Sequence, residues 1–228
     1  MKRVDLWPKL LSCQQIDQVD WQLAQALSID VKQNCSLGLV TCDQDDSMYV
    51  ALDHATKFAN VEVRFAKSFY AGSRHASGPY SGEILGILSA ENPDEIAEGL
   101  WALRQALREV RFQTFEGPAE THPAFLAHVV TETGRYLAPQ AEIQPGEPMA
   151  YLIAPPMEAV LATDAALKAA PVKLAKWIPP PSETNFAGAF LTGALPDLQA
   201  ARDAFVDCIA QFVQSPLAAA RRPERMRR

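Results

Sequence analysis

Apolar and polar positions along this chain keep changing period, from two to about 3.6 and back. Lys9–Ile16 mixes both types at strand length, and Asp17–Leu27 spaces Val19, Leu23 and Leu27 four apart, which predicts an amphipathic helix. Ser36–Thr41 (SLGLVT) is a short apolar strand. The polar turn DQDDS follows, with Ser47 as candidate cap for a helix over Met48–Ala59. Val61–Ala66 (VEVRFA) alternates as a strand does, and Ile84–Ser89 reads as a buried strand. The helical signal is sharpest after Asn92, a good N-cap. Pro93 suits the first helical position, and Asp94 and Glu95 suit the positive end of the helix dipole. Ile96, Leu100, Leu103, Leu107 and Val110 then form one apolar stripe, which reads as core.

Residues 113–122 (QTFEGPAETH) read as a polar linker, and after them the alternation recurs. Ala124–Val130 is strand-like, Thr131–Leu137 a short helix, Met149–Ala154 a strand and Ala159–Ala169 a helix. Val172–Trp177 and Ala187–Thr192 are strands on either side of the loop Pro179–Asn185. Pro196–Phe212 is a helix with its stripe at Leu198, Ala201, Phe205, Ile209 and Phe212. The recurrence is also visible in residue identities. Asp53-x-Ala55-x-Lys57-x-Ala59-x-Val61 repeats as Asp164-x-Ala166-x-Lys168-x-Ala170-x-Val172, an offset of 164 − 53 = 111. Pro93-Asp94 repeats as Pro196-Asp197, an offset of 196 − 93 = 103. The first copy therefore holds 111 − 103 = 8 extra residues between these anchors. They fall around Ser68–Glu83 (SFYAGSRHASGPYSGE), which Gly72, Gly78, Gly82 and Pro79 bar from being helical. Its shorter counterpart is the PPPSETN loop.

Composition narrows the field. With 228 residues, 48% of them hydrophobic, the chain can build one large or two ordinary cores. No apolar run is long enough to span a bilayer, and MKRVDLWPKLLS has neither the apolar stretch nor the A-x-A site of a secretion signal. Cys13, Cys35, Cys42 and Cys208 show no zinc or C-x-x-C spacing and read as reduced, mostly buried thiols. The net charge is −6; Arg221–Arg228 holds five Arg against Glu224, a net of +4, so the rest carries −6 − 4 = −10. An acidic body argues against a nucleic-acid partner. The basic end reads as a disordered, solvated tail, or else as a contact to another protein.

Enzyme constellations are absent: no P-loop, no Rossmann fingerprint, no H-E-x-x-H and no G-x-S-x-G. His54, His75, His122 and His128 lack ligand spacing, so no metal or cofactor is expected; His75 reads as an ordinary loop histidine, with a metal or pH role as the sharper alternative. Asp43, Asp45 and Asp46 form an acidic turn at a strand end, without the glycine and distal glutamate of a calcium loop. Alone it reads as a solvated turn. Glu83 opens a strand of the same repeat, and with Tyr70 the carboxylates could converge. Two or three carboxylates beside a ring suit a small primary ammonium ion, not an anion.

The D-x-A-x-K-x-A-x-V motif, present twice, resembles that of bacterial microcompartment (BMC) shell domains. The stretches SLGLVTCDQDDSMYVALDHATKFANVEV, SFYAGSRHASGPYSGE, FLAHVVTETGRYL, EPMAYLIAPP and PPPSETNFAGAFLTG resemble the tandem-domain shell proteins of ethanolamine utilisation over nearly the whole chain. This resemblance implies an α/β (α+β) fold of two circularly permuted BMC domains, each a small sheet flanked by helices. They would occupy residues 1–112 and 113–220, ahead of the tail 221–228. It implies a non-catalytic homotrimer, a pseudo-hexameric tile that meets other shell proteins edge to edge in a cytoplasmic microcompartment shell. Lys57 and Lys168 would lie at the tile edge. Ethanolamine would bind at Asp45, Asp46, Tyr70, Glu83 and Phe112. The gating loops around the central pore would be Tyr70, Gly72, Ser73, Arg74, His75, Gly78 and Pro79, together with Pro180, Pro181, Ser182, Glu183, Thr184 and Asn185. Neither a membrane nor a nucleic acid is an expected partner. Two other readings stay open on the residues alone: an enzyme using Asp45, Asp46 or Glu83 as general acid or base, and a soluble amine-binding module.

Overall fold

Each repeat folds into a four-stranded antiparallel sheet with two helices laid on one face. The computed structural model describes residues 1–30, 32, 35–69, 80–117, 122–180, 182 and 185–218. The first sheet has the order β2 (Leu10–Ile16), β3 (Ser36–Cys42), β5 (Ile84–Ala90), β4 (Glu62–Ser68). The second repeats that order as β7 (Leu126–Val130), β8 (Met149–Ala154), β10 (Ala187–Thr192), β9 (Lys173–Ile178). Helices α2 (Asp45–Phe58) and α3 (Pro93–Ala106) cover the first sheet, and α4 (Pro156–Ala169) and α5 (Leu195–Gln214) the second. A short helix, α1 (Trp21–Ala26), lies between β2 and β3.

The alternation of each strand decides its two faces. In the first repeat Val40, Cys42, Ile84 and Leu88 point at α2 and α3, where Met48, Leu52, Ile96 and Leu103 meet them. The second core uses smaller residues, with Ala150, Leu152, Ala154, Ala187 and Ala189 against Ala159, Ala162, Ala166 and Phe205. A third apolar cluster lies on the seam between the repeats. There Val50 from α2 meets Leu137, Met149, Tyr151, Ile153 and Phe190.

Hydrogen bonds also cross the seam. Asp53, 1% exposed, accepts from the backbone N–H of Gly134 (2.6 Å), Tyr136 (3.1 Å) and Leu137 (2.7 Å). Arg135 donates from its backbone to Thr56 Oγ1 and from its guanidinium to the carbonyls of Ala59 and Val61. Lys57 donates to the Glu132 carbonyl at 2.8 Å. Gly134 has no room for a side chain, since a Cβ there would stand 2.3 Å from the Asp53 carbonyl oxygen.

Several sequence expectations change. Thr131–Leu137 is a chain of turns rather than a helix, followed by a 3₁₀ turn at Ala138–Ala141, because its amides are taken by Asp53. Residues 113–122 are not all linker: Phe112–Phe115 is a strand, β6, paired antiparallel with an unforeseen N-terminal strand, β1 (Arg3–Leu6). Gln113 and Phe125 exchange two backbone hydrogen bonds that tie this ribbon to the second repeat. The first helix is only Trp21–Ala26, and it buries Ala24 while Leu23 is 45% exposed. The basic tail lies outside the described residues. No helix among the described residues is long and apolar enough to cross a membrane.

Candidate functional site

Helix α2 begins three residues earlier than Ser47 predicts. Its N-cap is Gln44, whose amide is engaged elsewhere: Oε1 accepts from Ser47 Oγ and from the Phe112 backbone, and Nε2 donates to the Leu6 carbonyl. Ser47 is therefore inside the first turn. Asp45 and Asp46 are not a solvated turn either; they are the first two helical residues and are 7% and 5% exposed. Carboxylates are favoured there by the unpaired amides and dipole of the helix start, and the Asp45 carboxylate accepts from the Asp46 backbone.

Asp46 also accepts a hydrogen bond from the Tyr151 hydroxyl, which reaches across the seam from β8. Burial, reinforced by the charge of Asp45, holds the Asp46 carboxyl well above its ordinary value, and burial beside Asp46 pushes the Tyr151 phenol up as well. Such a pair is costly to leave charged without a cation nearby. It faces a cavity of about 460 Å³ lined by residues of both repeats, among them Tyr49, Tyr136, Gln140 and Lys176. The Tyr151 and Phe190 rings meet edge to face at 4.6 Å, and Lys176 Nζ sits 5.3 Å from the centre of the Phe190 ring.

Glu83 is brought to the same helix end. Its N–H donates to the Cys42 carbonyl at 2.7 Å, and its own carbonyl accepts from Ser68 Oγ and the Phe69 N–H. Gly82, just before it, comes so near Cys42 that a Cβ would lie 2.0 Å from the Cys42 oxygen. The buried Cys42 thiol is pushed up to about 12, chiefly by burial and further by the charges of Asp43, Asp45 and Glu83. Asp43, Asp45 and Glu83 thus all act on the Cys42 thiol. Phe112 joins through its hydrogen bond to Gln44, and its ring meets Phe186 edge-on at 5.8 Å in the seam core. Neither Glu83 nor Phe112 lines that cavity.

Of the expected loop residues, Pro180, Ser182 and Asn185 are described. Ser182 lines the cavity, its N–H donating to the Phe186 carbonyl, and Asn185 is left-handed with φ 63°. Tyr70, Gly72, Ser73, Arg74, His75, Gly78, Pro79, Pro181, Glu183 and Thr184 lie outside the described residues. Lys57 sits at the C-terminal end of α2 on the Glu132 carbonyl, and Lys168, at the matching place on α4, pairs with Asp164 at 2.6 Å. Among the described residues no group of three or more His, Cys, Asp or Glu could hold a metal ion. Sequence reasoning missed Tyr151, Tyr49, Tyr136, Gln140 and Lys176. The one available signal for Tyr151 was a lone hydroxyl in the apolar run MAYLIA.

No family model matches the chain. The bacterial microcompartment shell protein EutL of Clostridium perfringens is 42% identical over 218 residues, 95% of this chain and 99% of that protein. The Escherichia coli EutL is 48% identical over 183 residues, 80% of this chain and 83% of that protein. The chain belongs to the EutL family of bacterial microcompartment shell proteins. A crystal structure of EutL from C. perfringens superposes with a TM-score of 0.89 at 42% identity, covering 96% of this chain and 98% of that one. The ethanolamine utilization protein EutL from Leptotrichia buccalis gives 0.89 and 42%, covering 95% and 99%. The trimeric microcompartment shell protein PduB, at 18% identity, TM-score 0.72 and coverage of 90% and 89%, shares the fold of two tandem domains. As an EutL-family member the chain is a structural component of a protein shell in the cytoplasm and not an enzyme. The general acid–base reading of Asp45, Asp46 and Glu83 is thereby set aside.

Proposed function

We propose that this EutL-family chain is a homotrimeric tile in the shell of an ethanolamine-utilisation microcompartment, with a gated central pore that passes small solutes or cofactors. Three smaller pores, one at the seam of each subunit, bind ethanolamine. The observation that carries the ligand assignment is the buried Asp45–Asp46 pair at the start of α2, aimed into a cavity walled by tyrosines. An ammonium ion supplies three N–H donors and the charge that lets Asp46 ionise. Tyr70, Glu83 and Phe112 complete the contacts. Residues 68–82 and 179–185 are the gating loops. Binding that favoured the closed arrangement would shift the pore's population toward it. Lys57 and Lys168 stand at the tile edge. The repeats are the two halves 1–112 and 113–220.

Calorimetry tests the ligand. Ethanolamine should bind weakly to the wild type and more weakly to Glu83→Gln; equal binding by the variant defeats the assignment of Glu83. Burial and the Asp45 charge raise the Asp46 carboxyl, and a bound cation would lower it again, so binding should release a proton and affinity should rise with pH until Asp46 of the free protein is itself ionised. Electron microscopy tests the tile. Concentrated protein should form extended layers, and Lys57→Glu should lose them while keeping the trimer.

A further inference from the structure

The second sheet repeats the first down to an irregularity in its edge strand. In β4 the register slips at Arg64, so that Val63 stands opposite Leu88 and Phe65 opposite Ile87. In β9 it slips at Ala175, so that Leu174 stands opposite Leu191 and Lys176 opposite Phe190. The offset between the two is 176 − 65 = 111, the same as that of the helix motif. A bulge re-aims the side chain beside it and bends its strand, and bulges recur next to binding sites. This bulge does not need a lysine, because the first repeat makes the same turn with Phe65.

Lys176 lines the cavity that Asp45 and Asp46 also line. The 111-residue offset carries those two carboxylates onto Pro156 and Met157, so neither they nor Lys176 have a polar counterpart in the other repeat. Lys176 Nζ donates to Gln140 Oε1 at 3.1 Å, and Gln140 Nε2 donates to the Tyr136 carbonyl at 3.2 Å, so the amide is itself held in place. An ammonium has three donors, and this leaves two of them. Among the described residues no carboxylate pairs with Lys176. Nor does the lysine cancel the charge of the pair: burial and Asp45 raise Asp46, and no cation offsets them. The cavity therefore holds carboxylates and an unpaired cation apart from one another. It also has room to spare. Ethanolamine has four non-hydrogen atoms, which at the share of volume a water takes in the liquid fill roughly 120 Å³, and the cavity measures about 460 Å³.

We infer that Lys176 is a specificity-determining residue, the anchor of a second subsite in this cavity for an anionic group at the other end of an amine ligand. The ligand class is a phosphate monoester of an amino alcohol. Its ammonium meets Asp45 and Asp46, and its phosphate meets the Lys176 donors that Gln140 leaves over. A lysine suits phosphate because it binds as a point charge and needs no fork geometry. The same cation disfavours a diamine, whose second ammonium it repels. The inference rests on the ammonium reading of Asp45 and Asp46 for the amine end alone.

Calorimetry on the full chain tests it, with ethanolamine, propanolamine and butanolamine each set beside its phosphate monoester. At least one ester should bind roughly tenfold tighter than its parent, the gain expected of one charge-assisted contact. In Lys176→Met the ester and its parent should bind alike. Lys176→Glu should bind butanediamine roughly tenfold tighter than the wild type does, since a repulsion becomes an attraction. Lys176 is exposed, so both variants should fold, as their circular-dichroism melts will show. Three esters that gain nothing over their parents overturn the inference. So does a gain that survives in Lys176→Met, which would place the phosphate elsewhere, and so does a diamine no better bound by Lys176→Glu. Failure of the underlying reading looks different. If the ester's gain depends on Lys176 but its affinity is untouched in Asp46→Asn, the anionic subsite stands and the amine end is misassigned. If the amino alcohols bind and their esters gain nothing, the ammonium reading stands and the subsite falls.

Discussion

His128 is a base that folding keeps from its proton. Burial lowers it to about 4, and the nearby charges of Arg111, Arg202 and Lys57 push the same way. The unfolded chain would bind that proton at about 6.5. Between these values the unfolded state holds more protons, so stability is fully present above 6.5 and is lost as pH falls toward 4. The loss amounts to at most about 3 kcal/mol. Asp46 works with the opposite sign: its folded value is raised, so its contribution declines as pH rises above about 3.8. The two overlap in the wild-type profile, and a variant separates them. His128→Gln should flatten the loss of stability between pH 6.5 and 4, read as the urea midpoint at each pH. Parallel profiles for variant and wild type would show that the imidazole does not titrate with folding.

At the scale of the element, helices α2 and α4 carry one motif in two settings. On α2 the aspartate is a cap for a segment 81 residues away, whose backbone then cannot be helical. Gly134→Ala tests that join, because a Cβ would meet the Asp53 carbonyl at 2.3 Å and Thr56 Oγ1 at 2.4 Å. It should cost about 1–3 kcal/mol in chemical denaturation, the usual penalty for an added methyl in a closed contact. A change under about 0.5 kcal/mol, typical of an unconstrained surface site, would mean that the seam yields. The same elements show what periodicity could and could not reveal. Both helix pairs and eight of the ten described strands announce themselves by local alternation, since each pays its entropy with one apolar face. Thr131–Leu137 misled because Asp53 is a distant partner that no local window contains. β1 and β6 were hidden for the same reason, each finding its partner over a hundred residues away. Asp45 and Asp46 were legible as a carboxylate pair, but their burial was not. Gln44 is a poor cap by residue type, and Ser47 is a good one that goes unused as a cap.

For the whole molecule the decisive fact is that the cavity belongs to both repeats. Asp45, Asp46 and Tyr49 come from the first, Tyr136, Tyr151 and Lys176 from the second, and the seam core with Val50 and Leu137 lies beside them. A ligand held there cannot stay bound if either repeat unfolds, so it stabilises the joined pair. Under the ammonium reading, free ethanolamine at a hundred times its Kd should add about 2.7 kcal/mol. For a chain of this size that is a rise of about 5–10 °C in Tm. The unfolding should remain a single transition with ligand present and absent. Asp46→Asn cannot ionise yet keeps a side chain of the same shape, so it should unfold close to the wild-type temperature without ligand and gain nothing from ethanolamine. Two calorimetric transitions, of which ethanolamine moves only one, would show instead that the repeats melt separately and that one of them holds the ligand alone.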